Sequence, residues 1–159
     1  MPHPKLPASP TPATHEQTEK GCVHWYRFTT NSSAGTISRV HPCIIVSRVN
    51  KGSNRVIISP ISDITNYVEN GQIKYPYHAP LYQAEYNFLE KNSVVLLDQM
   101  FTIGKSELYQ EWYMGKVTDT RKIDEAILYN FDLFESMLEA YSELVSQYKD
   151  IYSSNFSRR

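Results

Sequence analysis

Apolar and polar positions divide the chain into a strand-rich part and a helical end. Runs rich in β-branched and aromatic residues, separated by stretches of Ser, Asn and Gly, predict strands. They are CVHWYRF (22–28), HPCIIVSRV (41–49), RVIISPIS (55–62) and NSVVLLDQMFTI (92–103). Pro60 lacks an amide hydrogen, so we expect it to end regular pairing of the third strand or to place that strand at a sheet edge. Residues 63–92 are rich in tyrosine and are predicted to be irregular.

Beyond position 120, apolar residues recur in steps of three and four, and carboxylates occupy the opposite face. This spacing predicts one long amphipathic helix, with Thr118 or Thr120 capping its start. The apolar positions are Ile123, Ile127, Phe134, Met137, Tyr141, Leu144, Tyr148 and Ile151. Short strands followed by a terminal helix indicate an α+β fold with a small, strongly curved, barrel-like sheet.

The first twenty residues have a different composition. Five of the nine prolines lie within residues 1–12, among Ser, Thr and Ala. Such a segment cannot form a helix or a sheet ladder and has little to bury, so residues 1–20 are predicted to be a disordered tail. The chain of 159 residues suits one domain. It has no long uncharged apolar run and no apolar signal segment at its start, so a membrane span is disfavoured and the cytoplasm is the expected location.

Charge is unevenly distributed along the chain. The net charge is −1, from 16 basic and 17 acidic residues. Residues 20–62 contain six cations and no carboxylate, whereas residues 123–150 contain seven carboxylates and one cation. Two interpretations are open: these are solvated faces of opposite sign, or the basic stretch is an anion-binding surface that the near-zero total conceals.

Two cysteines and two histidines lie on strands that we expect to be neighbours. Cys22 and His24 are two residues apart, as are His41 and Cys43, so each pair projects from one face of its strand. A Cys₂His₂ zinc site is one interpretation, but the spacing is not that of a finger or a knuckle. The other interpretation, two reduced cysteines buried as small apolar side chains, is favoured. We therefore predict no metal and no cofactor.

The order of several sequence blocks along the chain is more informative about function than the positions of the cysteines and histidines. GCVHWYRF is followed by HPCIIVS, a strand ending in PIS, SVVLLDQMFTIGKSEL and MGKVTDTRKIDEAI. Together these blocks resemble the PemK/MazF-like family of toxin endoribonucleases. In that family the first strand opens G-D-[IV]-x-W, the second contains G-x-R-P, the third ends P-[IV]-[TS], and the fourth contains S-V-x-L-x-[DE]-Q-x-R-T.

The resemblance implies a domain organisation and a function. Residues 21–133 would form an SH3-like barrel, followed by a helical extension over residues 134–159. The protein would be the toxin of a toxin-antitoxin pair, form a homodimer, bind an antitoxin protein, and cleave single-stranded mRNA without a metal ion. The extension comes from the apolar pattern, which continues beyond Leu133, where the closing helix of the family ends. It would either fold back over the barrel or pack against a second subunit or a partner.

The resemblance also implies site residues. The arginine of the second strand falls on His41, the hydroxyl of the third on Ser62, and the acidic residue and Gln of the fourth on Asp98 and Gln99. The sequence departs from the family at His41 and at Phe101, which stands where Q-x-R-T has its arginine. Arg39 lies two residues from His41 and is expected on the same strand face.

RNA cleavage by the neighbouring 2′-hydroxyl needs a base, an acid and donors around the phosphoryl oxygens. His41 is suited to move protons at neutral pH, and Arg39 to hold a phosphate oxygen. Ser62 would supply a hydroxyl. Equally, His41 could be a strand-end histidine bonded to backbone, and Ser62 a strand cap. Asp98 in an apolar strand needs a partner: Arg39 or Arg27 in an ion pair, or His41, which it would orient.

Aromatic and basic residues offer contacts for the rest of an RNA strand. Tyr75 and Tyr77 are the strongest candidates for base stacking, because Pro76 stiffens the segment between them. Packing within the protein is the alternative for both. Arg48 is a candidate phosphate contact in the basic stretch, and Gln99 a further RNA contact. Two functions remain: an endoribonuclease toxin, or a catalytically silent RNA- or protein-binding module of the same fold.

Overall fold

The computed structural model describes residues 3–29 and 33–156. Within these ranges the chain forms nine short strands and two α-helices, joined by single turns of 3₁₀ helix. The strands are β1 (Cys22–Phe28), β2 (Arg39–Ile45), β3 (Arg55–Asp63), β4 (Val68–Glu69), β5 (Gln72–Ile73), β6 (His78–Leu81), β7 (Ser93–Leu96), β8 (Phe101–Gly104) and β9 (Tyr113–Lys116). The helices are α1 (Arg121–Asn130) and α2 (Phe134–Phe156).

Seven strands form one antiparallel sheet that curls into a half-barrel. Its order is β6-β7-β3-β2-β1-β9, and β8 also pairs with β3. β3 reaches both halves of the sheet, because Arg55–Ile58 pair with β8 and Ile61–Asp63 pair with β7. The predicted α+β barrel fold is therefore confirmed. β4 and β5 form a separate small hairpin.

Pro60 lies where β3 changes partners. It stands opposite Cys43 and is the last residue of β3 that pairs with β2, so the prediction that Pro60 ends regular pairing is confirmed on that side. The alternative of an edge strand is wrong, because β3 lies between β7 and β2. On its other side, the β8 partners end at Ile58 and the β7 partners begin at Ile61. A residue without an amide hydrogen fits such a gap between two ladders, because no donor is lost there.

Both faces of the sheet are covered. Ile44 of β2 belongs to a buried cluster with Val23, Ile61 and Val95, which α1 closes with Ile123. The residues on either side of Ile44 belong to a second cluster on the other face, which is made of Cys22, Phe28, Cys43, Ile45, Val56, Ile58, Ile103 and Leu108. Because successive strand residues point to opposite faces, the run of buried residues in β2 reflects two cores rather than one.

The long strand predicted over residues 92–103 is in fact two strands. β7 ends at Leu96 and β8 begins at Phe101. In the turn between them, the backbone amide of Gln99 donates to the Leu96 carbonyl at 3.1 Å. β7 and β8 pair with different parts of β3, so the chain must turn to pass from one to the other. Asp98 therefore lies in a turn, not within an apolar strand.

The single C-terminal helix predicted from periodicity is broken. α1 ends at Asn130, whose side-chain amide donates to the Leu97 carbonyl at 3.1 Å, and Asp132 takes a left-handed conformation with φ of 54°. Short polar residues tolerate this conformation better than bulky ones. α2 then projects with its apolar side exposed, since Leu138 and Leu144 are each 66% accessible. Of the two alternatives for the extension, folding back over the barrel is not observed.

The segment before β1 differs from the disordered tail that its composition predicts. Residues 3–20, called here the N-terminal strap, lie along the barrel, and residues 1 and 2 fall outside the described ranges. Pro12 forms a β-bridge with Tyr109, and the Ala13 amide donates to the Leu108 carbonyl at 2.9 Å. Proline lacks a donor but keeps its carbonyl, so a proline-rich segment can still accept hydrogen bonds from the barrel.

Candidate functional site

A cavity of about 300 Å³ opens beside the start of β2 and the end of β3. His41 and Ser62 both line it, together with Trp25 of β1 and Lys91 from the loop before β7. Strand register explains why His41 and Ser62 lie close together. Cys43 stands opposite Pro60, and moving two residues outward along each antiparallel strand leads to His41 and Ser62. The structure thus brings together two of the four residues to which the family resemblance points. The volume is at the small end of ligand pockets.

The environment of His41 favours its neutral form. Its side chain is half-buried, and burial lowers the pKa of its imidazole below the ordinary 6.5; the charges of Arg39 and Lys91 lower that pKa further. A positive neighbour disfavours a second positive charge, and burial disfavours any charge. The neutral imidazole is therefore the favoured form of His41 at neutral pH.

Lys91 was not predicted from the sequence. Its ammonium lies 3.0 Å from Asp63 Oδ2, and both residues line the cavity. Asp63 also accepts from the Thr65 amide at 2.9 Å and the Thr65 hydroxyl at 2.6 Å, and these bonds, with Lys91, hold the pKa of the Asp63 carboxyl far below its usual value. The carboxylate keeps Lys91 close to His41. A lysine two residues before a strand carries no sequence signal of such a role.

The two arginines proposed from the sequence lie in different places. Arg39 begins β2 in a left-handed conformation with φ of 71°, and its charge acts on His41, although it is not part of the cavity wall. Arg48 is exposed in the loop that follows the opposite end of β2. The structure therefore places Arg39 near the cavity and Arg48 away from it.

Asp98 has a partner that sequence analysis did not consider. Its Oδ1 lies 3.3 Å from Nε2 of the buried His78, so the expected pairing with Arg39, Arg27 or His41 is wrong. Burial lowers the pKa of the His78 imidazole, and Asp98 opposes this shift. Asp98 does not line the cavity of His41. The turn between β7 and β8 directs the Asp98 side chain towards His78 instead.

The remaining RNA-contact candidates lie outside this cavity as well. The rings of Tyr75 and Tyr77 stack on each other, with centroids 5.2 Å apart and planes 11° from parallel. Tyr75 is 47% exposed and lines a second groove, of about 520 Å³, between the β6 edge and the helices. Gln99 accepts from the Ile37 amide at 2.8 Å, which ties the β7–β8 turn to the loop before β2.

Two of the four residues considered for zinc already bind backbone. The His24 Nε2 donates to the Gln17 carbonyl at 2.6 Å, and the Cys22 thiol donates to the Glu16 carbonyl at 3.3 Å. Cys22 and Cys43 are both free and buried, and burial raises the pKa of each thiol. Among residues 3–29 and 33–156, no group of three or more His, Cys, Asp or Glu side chains is arranged to hold a metal ion.

Residues 19–131 match the family of PemK-like, MazF-like toxins of type II toxin-antitoxin systems. The chain belongs to this family. The match covers most of the chain and includes every strand of the half-barrel, so the resemblance read from the ordered blocks is confirmed. It ends before α2 and leaves out most of the N-terminal strap.

Solved structures share the fold of this MazF-like toxin. One, an endoribonuclease in complex with its cognate antitoxin from a mycobacterial species, is 21% identical over 72% of this chain and 95% of that one, with a TM-score of 0.54. The Mycobacterium tuberculosis toxin MazF-mt6 is 22% identical over 70% of this chain and 97% of that one, with a TM-score of 0.51. A comparison with curated proteins finds no match.

In the part of the chain that the structure describes, no helix of this MazF-like toxin is both long enough and apolar enough to cross a bilayer.

Proposed function

We propose that this MazF-like toxin is an endoribonuclease that cleaves single-stranded mRNA in the cytoplasm without a metal ion. The observation that carries the proposal is the convergence of His41, Ser62 and Lys91 on one cavity. These side chains offer a proton acceptor, a hydroxyl donor and a cation, which are the groups that phosphoryl transfer from a neighbouring hydroxyl requires. A structural neighbour that shares the fold is itself described as an endoribonuclease.

In the proposed reaction the neutral imidazole of His41 takes the proton of the 2′-hydroxyl. The 2′-oxygen attacks the adjacent phosphorus, and the bond from phosphorus to the 5′-oxygen breaks. Lys91 and Arg39 stabilise the charge on the phosphoryl oxygens, and the Ser62 hydroxyl donates a hydrogen bond to one of them. The products are a 2′,3′-cyclic phosphate and a 5′-hydroxyl, and the leaving oxygen takes its proton from a second group.

Other residues contribute to RNA binding in this proposal. The exposed face of Tyr75 stacks a base, and Tyr77 supports it from behind. Arg48 contacts a phosphate further along the strand, and Gln99 acts by fixing the loop before β2. Asp98 has no part in the chemistry, because its partner is His78.

The proposal includes two protein partners, an antitoxin and a second copy of the chain. The fold neighbour in complex with its cognate antitoxin supports the first. The exposed apolar side of α2 supports the second, because such a surface is stabilised when another helix covers it.

A binding module without catalysis is the second candidate, and one observation favours it. Phe101 stands where the family has an arginine, and its ring packs against Phe28 with centroids 5.4 Å apart. That position therefore contributes to packing and supplies no cation.

Incubation of the purified protein with a long single-stranded RNA, followed by analysis of the new ends, distinguishes the two functions. We expect cyclic phosphate and 5′-hydroxyl ends, and no effect of EDTA. His41→Ala should lower the rate by about 10²-fold or more. Binding without cleavage at any pH would support the binding module, and full activity of a folded His41→Ala variant would remove His41 from the mechanism.

A further inference from the structure

The beginning of the N-terminal strap reaches the cavity of His41. His3 is part of the cavity wall, and its ring centroid lies 6.4 Å from that of Trp25 and 6.1 Å from that of Trp112. The family match begins at residue 19, so this contribution comes from a part of the chain outside the shared domain.

Hydrogen bonds hold the strap to the barrel at both ends and in the middle. Trp112 is almost fully buried, and its Nε1 donates to the Pro4 carbonyl at 3.0 Å, one residue from His3. The Thr11 amide donates to the Glu111 carboxylate at 3.0 Å. At the far end, the fully buried His24 donates to Gln17. Because buried donors need partners, the strap is an integral part of the folded barrel.

The ring of His3 is oriented by its own neighbour. Its Nδ1 lies 3.2 Å from the Pro4 carbonyl, which can only accept, so Nδ1 carries a hydrogen. This bond leaves Nε2 as the nitrogen that exchanges a proton with a ligand. His3 itself is exposed, as a group that must exchange protons with solvent between turnovers needs to be.

The proposed cleavage needs a second proton-transfer group, and neither Lys91 nor Asp63 of the cavity wall fits that role. The ammonium of Lys91 is held by Asp63, and the lowered pKa of Asp63 keeps that carboxyl ionised at neutral pH. His41 is committed to the 2′-hydroxyl. Imidazole is the side chain that both gives and takes a proton most readily near neutral pH.

We infer that the N-terminal strap supplies His3 as the general acid of the cleavage reaction. This inference rests on the proposed endoribonuclease function. In the step, His41 accepts the 2′-hydroxyl proton as the 2′-oxygen bonds to phosphorus, and His3 Nε2 donates its proton to the 5′-oxygen as that oxygen leaves phosphorus. His41 ends protonated and His3 neutral, and exchange with water restores both. His41 and His3 would thereby act as base and acid. In this chain His41 and Phe101 stand at the positions where the family has its two arginines.

His3→Gln is the test variant, and His15→Gln is its matched control, because His15 is an exposed histidine of the same strap that does not line the cavity. We expect His3→Gln to lower kcat by about 10²-fold, because the leaving 5′-oxygen then receives no proton from the strap. His15→Gln should keep the kcat of the unmodified protein.

A chemical rescue separates an acid from a merely structural residue. Once the cleaved linkage has been mapped, sulfur is placed at its bridging 5′-position; a thiol of this kind ionises with a pKa of about 8.5 and leaves without a proton. His3→Gln should cleave this RNA at nearly the rate of the unmodified protein, and His41→Ala should remain slow.

The outcomes distinguish this inference from the proposed function. If the unmodified protein does not cleave RNA, the proposed function fails. If it does, and His3→Gln is equally active or is slow on both substrates, His3 is not the acid. A His3→Gln variant faster than the unmodified protein would show that the strap obstructs the cavity, and would also overturn the inference.

Discussion

Lys91 Nζ lies 3.0 Å from Asp63 Oδ2, and this pair forms one side of the cavity that contains His41. The sheet holds the pair in place, since Asp63 is the last residue of β3 and stands opposite Ser93, two residues after Lys91. The ammonium therefore stays beside the imidazole and contributes to the lowered pKa of His41. Lys91, from the loop before β7, thus helps to lower the pKa of the His41 imidazole, which we propose as the base.

Removing this charge should change the pH dependence of cleavage. The base must be neutral, so the acid limb of the kcat/KM profile reports the pKa of His41, and we expect it below 6.5 in the unmodified protein. Lys91→Met removes a charge that disfavours the imidazolium, so the limb should move to higher pH. Lys51→Met, at an exposed loop position outside the cavity, is the control; an equal shift in both variants would contradict the local effect.

A second prediction concerns stability in acid. His24 is fully buried, and burial lowers the pKa of its imidazole below 6.5. In the unfolded chain the pKa returns to its ordinary value, so below that pH the unfolded state binds more protons than the folded state. The free energy of unfolding should therefore be retained above pH 6.5 and fall as the pH drops below it.

Urea unfolding at pH 8 and pH 5 measures this effect. The difference between the two free energies should be smaller for His24→Gln, whose amide can still donate to the Gln17 carbonyl but does not titrate. His15→Gln, which changes an exposed histidine, should keep the full difference. An unchanged difference in His24→Gln would show that other groups cause the acid sensitivity.

RNA binding should weaken with added salt, because each phosphate contact releases counterions. Arg39→Ala and Arg48→Ala should each reduce the slope of log affinity against log salt by about 0.7, the value for one contact on a single strand. The control is Arg121→Ala, since Arg121 is exposed and bonded to Asp119 outside the basic stretch. Affinity that does not depend on salt, or equal losses in all three variants, would contradict a local RNA surface.

The α2 extension should determine the size of the assembly. Its apolar residues alternate in steps of three and four, as in helices that pair along one seam; they are Phe134, Met137, Tyr141, Leu144, Tyr148 and Ile151. Tyr141 is 67% and Leu144 66% exposed, and pairing with α2 of a second copy would remove them from water. A chain ending at Leu133 should stay folded, because every strand that the structure describes lies before that point, but it should form a smaller oligomer.

Light scattering on the full chain and the shortened chain measures this change in mass. Leu144→Glu should reproduce the effect of truncation, and Ser142→Glu, which lies off the seam, should not. An insoluble or unfolded shortened chain would show instead that α2 is part of the core. The same number of subunits in all four proteins would exclude a role of α2 in assembly.

The sequence by itself determined the family and the barrel-like fold, and it named two residues, His41 and Ser62, that line one cavity. The strands β1, β2 and β3 are encoded locally by β-branched residues, and their antiparallel register follows from which residues must be buried. The blocks around these strands carried the resemblance that the family match confirmed. In this part of the chain the local sequence pattern and the fold agree, so the fold could be predicted from the pattern.

Only the tertiary structure decided where the remaining site residues lie. The sequence over residues 92–103 has the composition of one strand, and periodicity alone does not show that β3 pairs with the two halves of this run separately. The turn between those halves places Asp98 beside His78. The N-terminal strap has a composition typical of disorder. In the folded protein, however, its carbonyls accept hydrogen bonds from His24 and Trp112, and Pro12 forms a β-bridge with Tyr109. These bonds join residues up to 108 positions apart, and a contact of that span depends on the folded barrel rather than on local sequence.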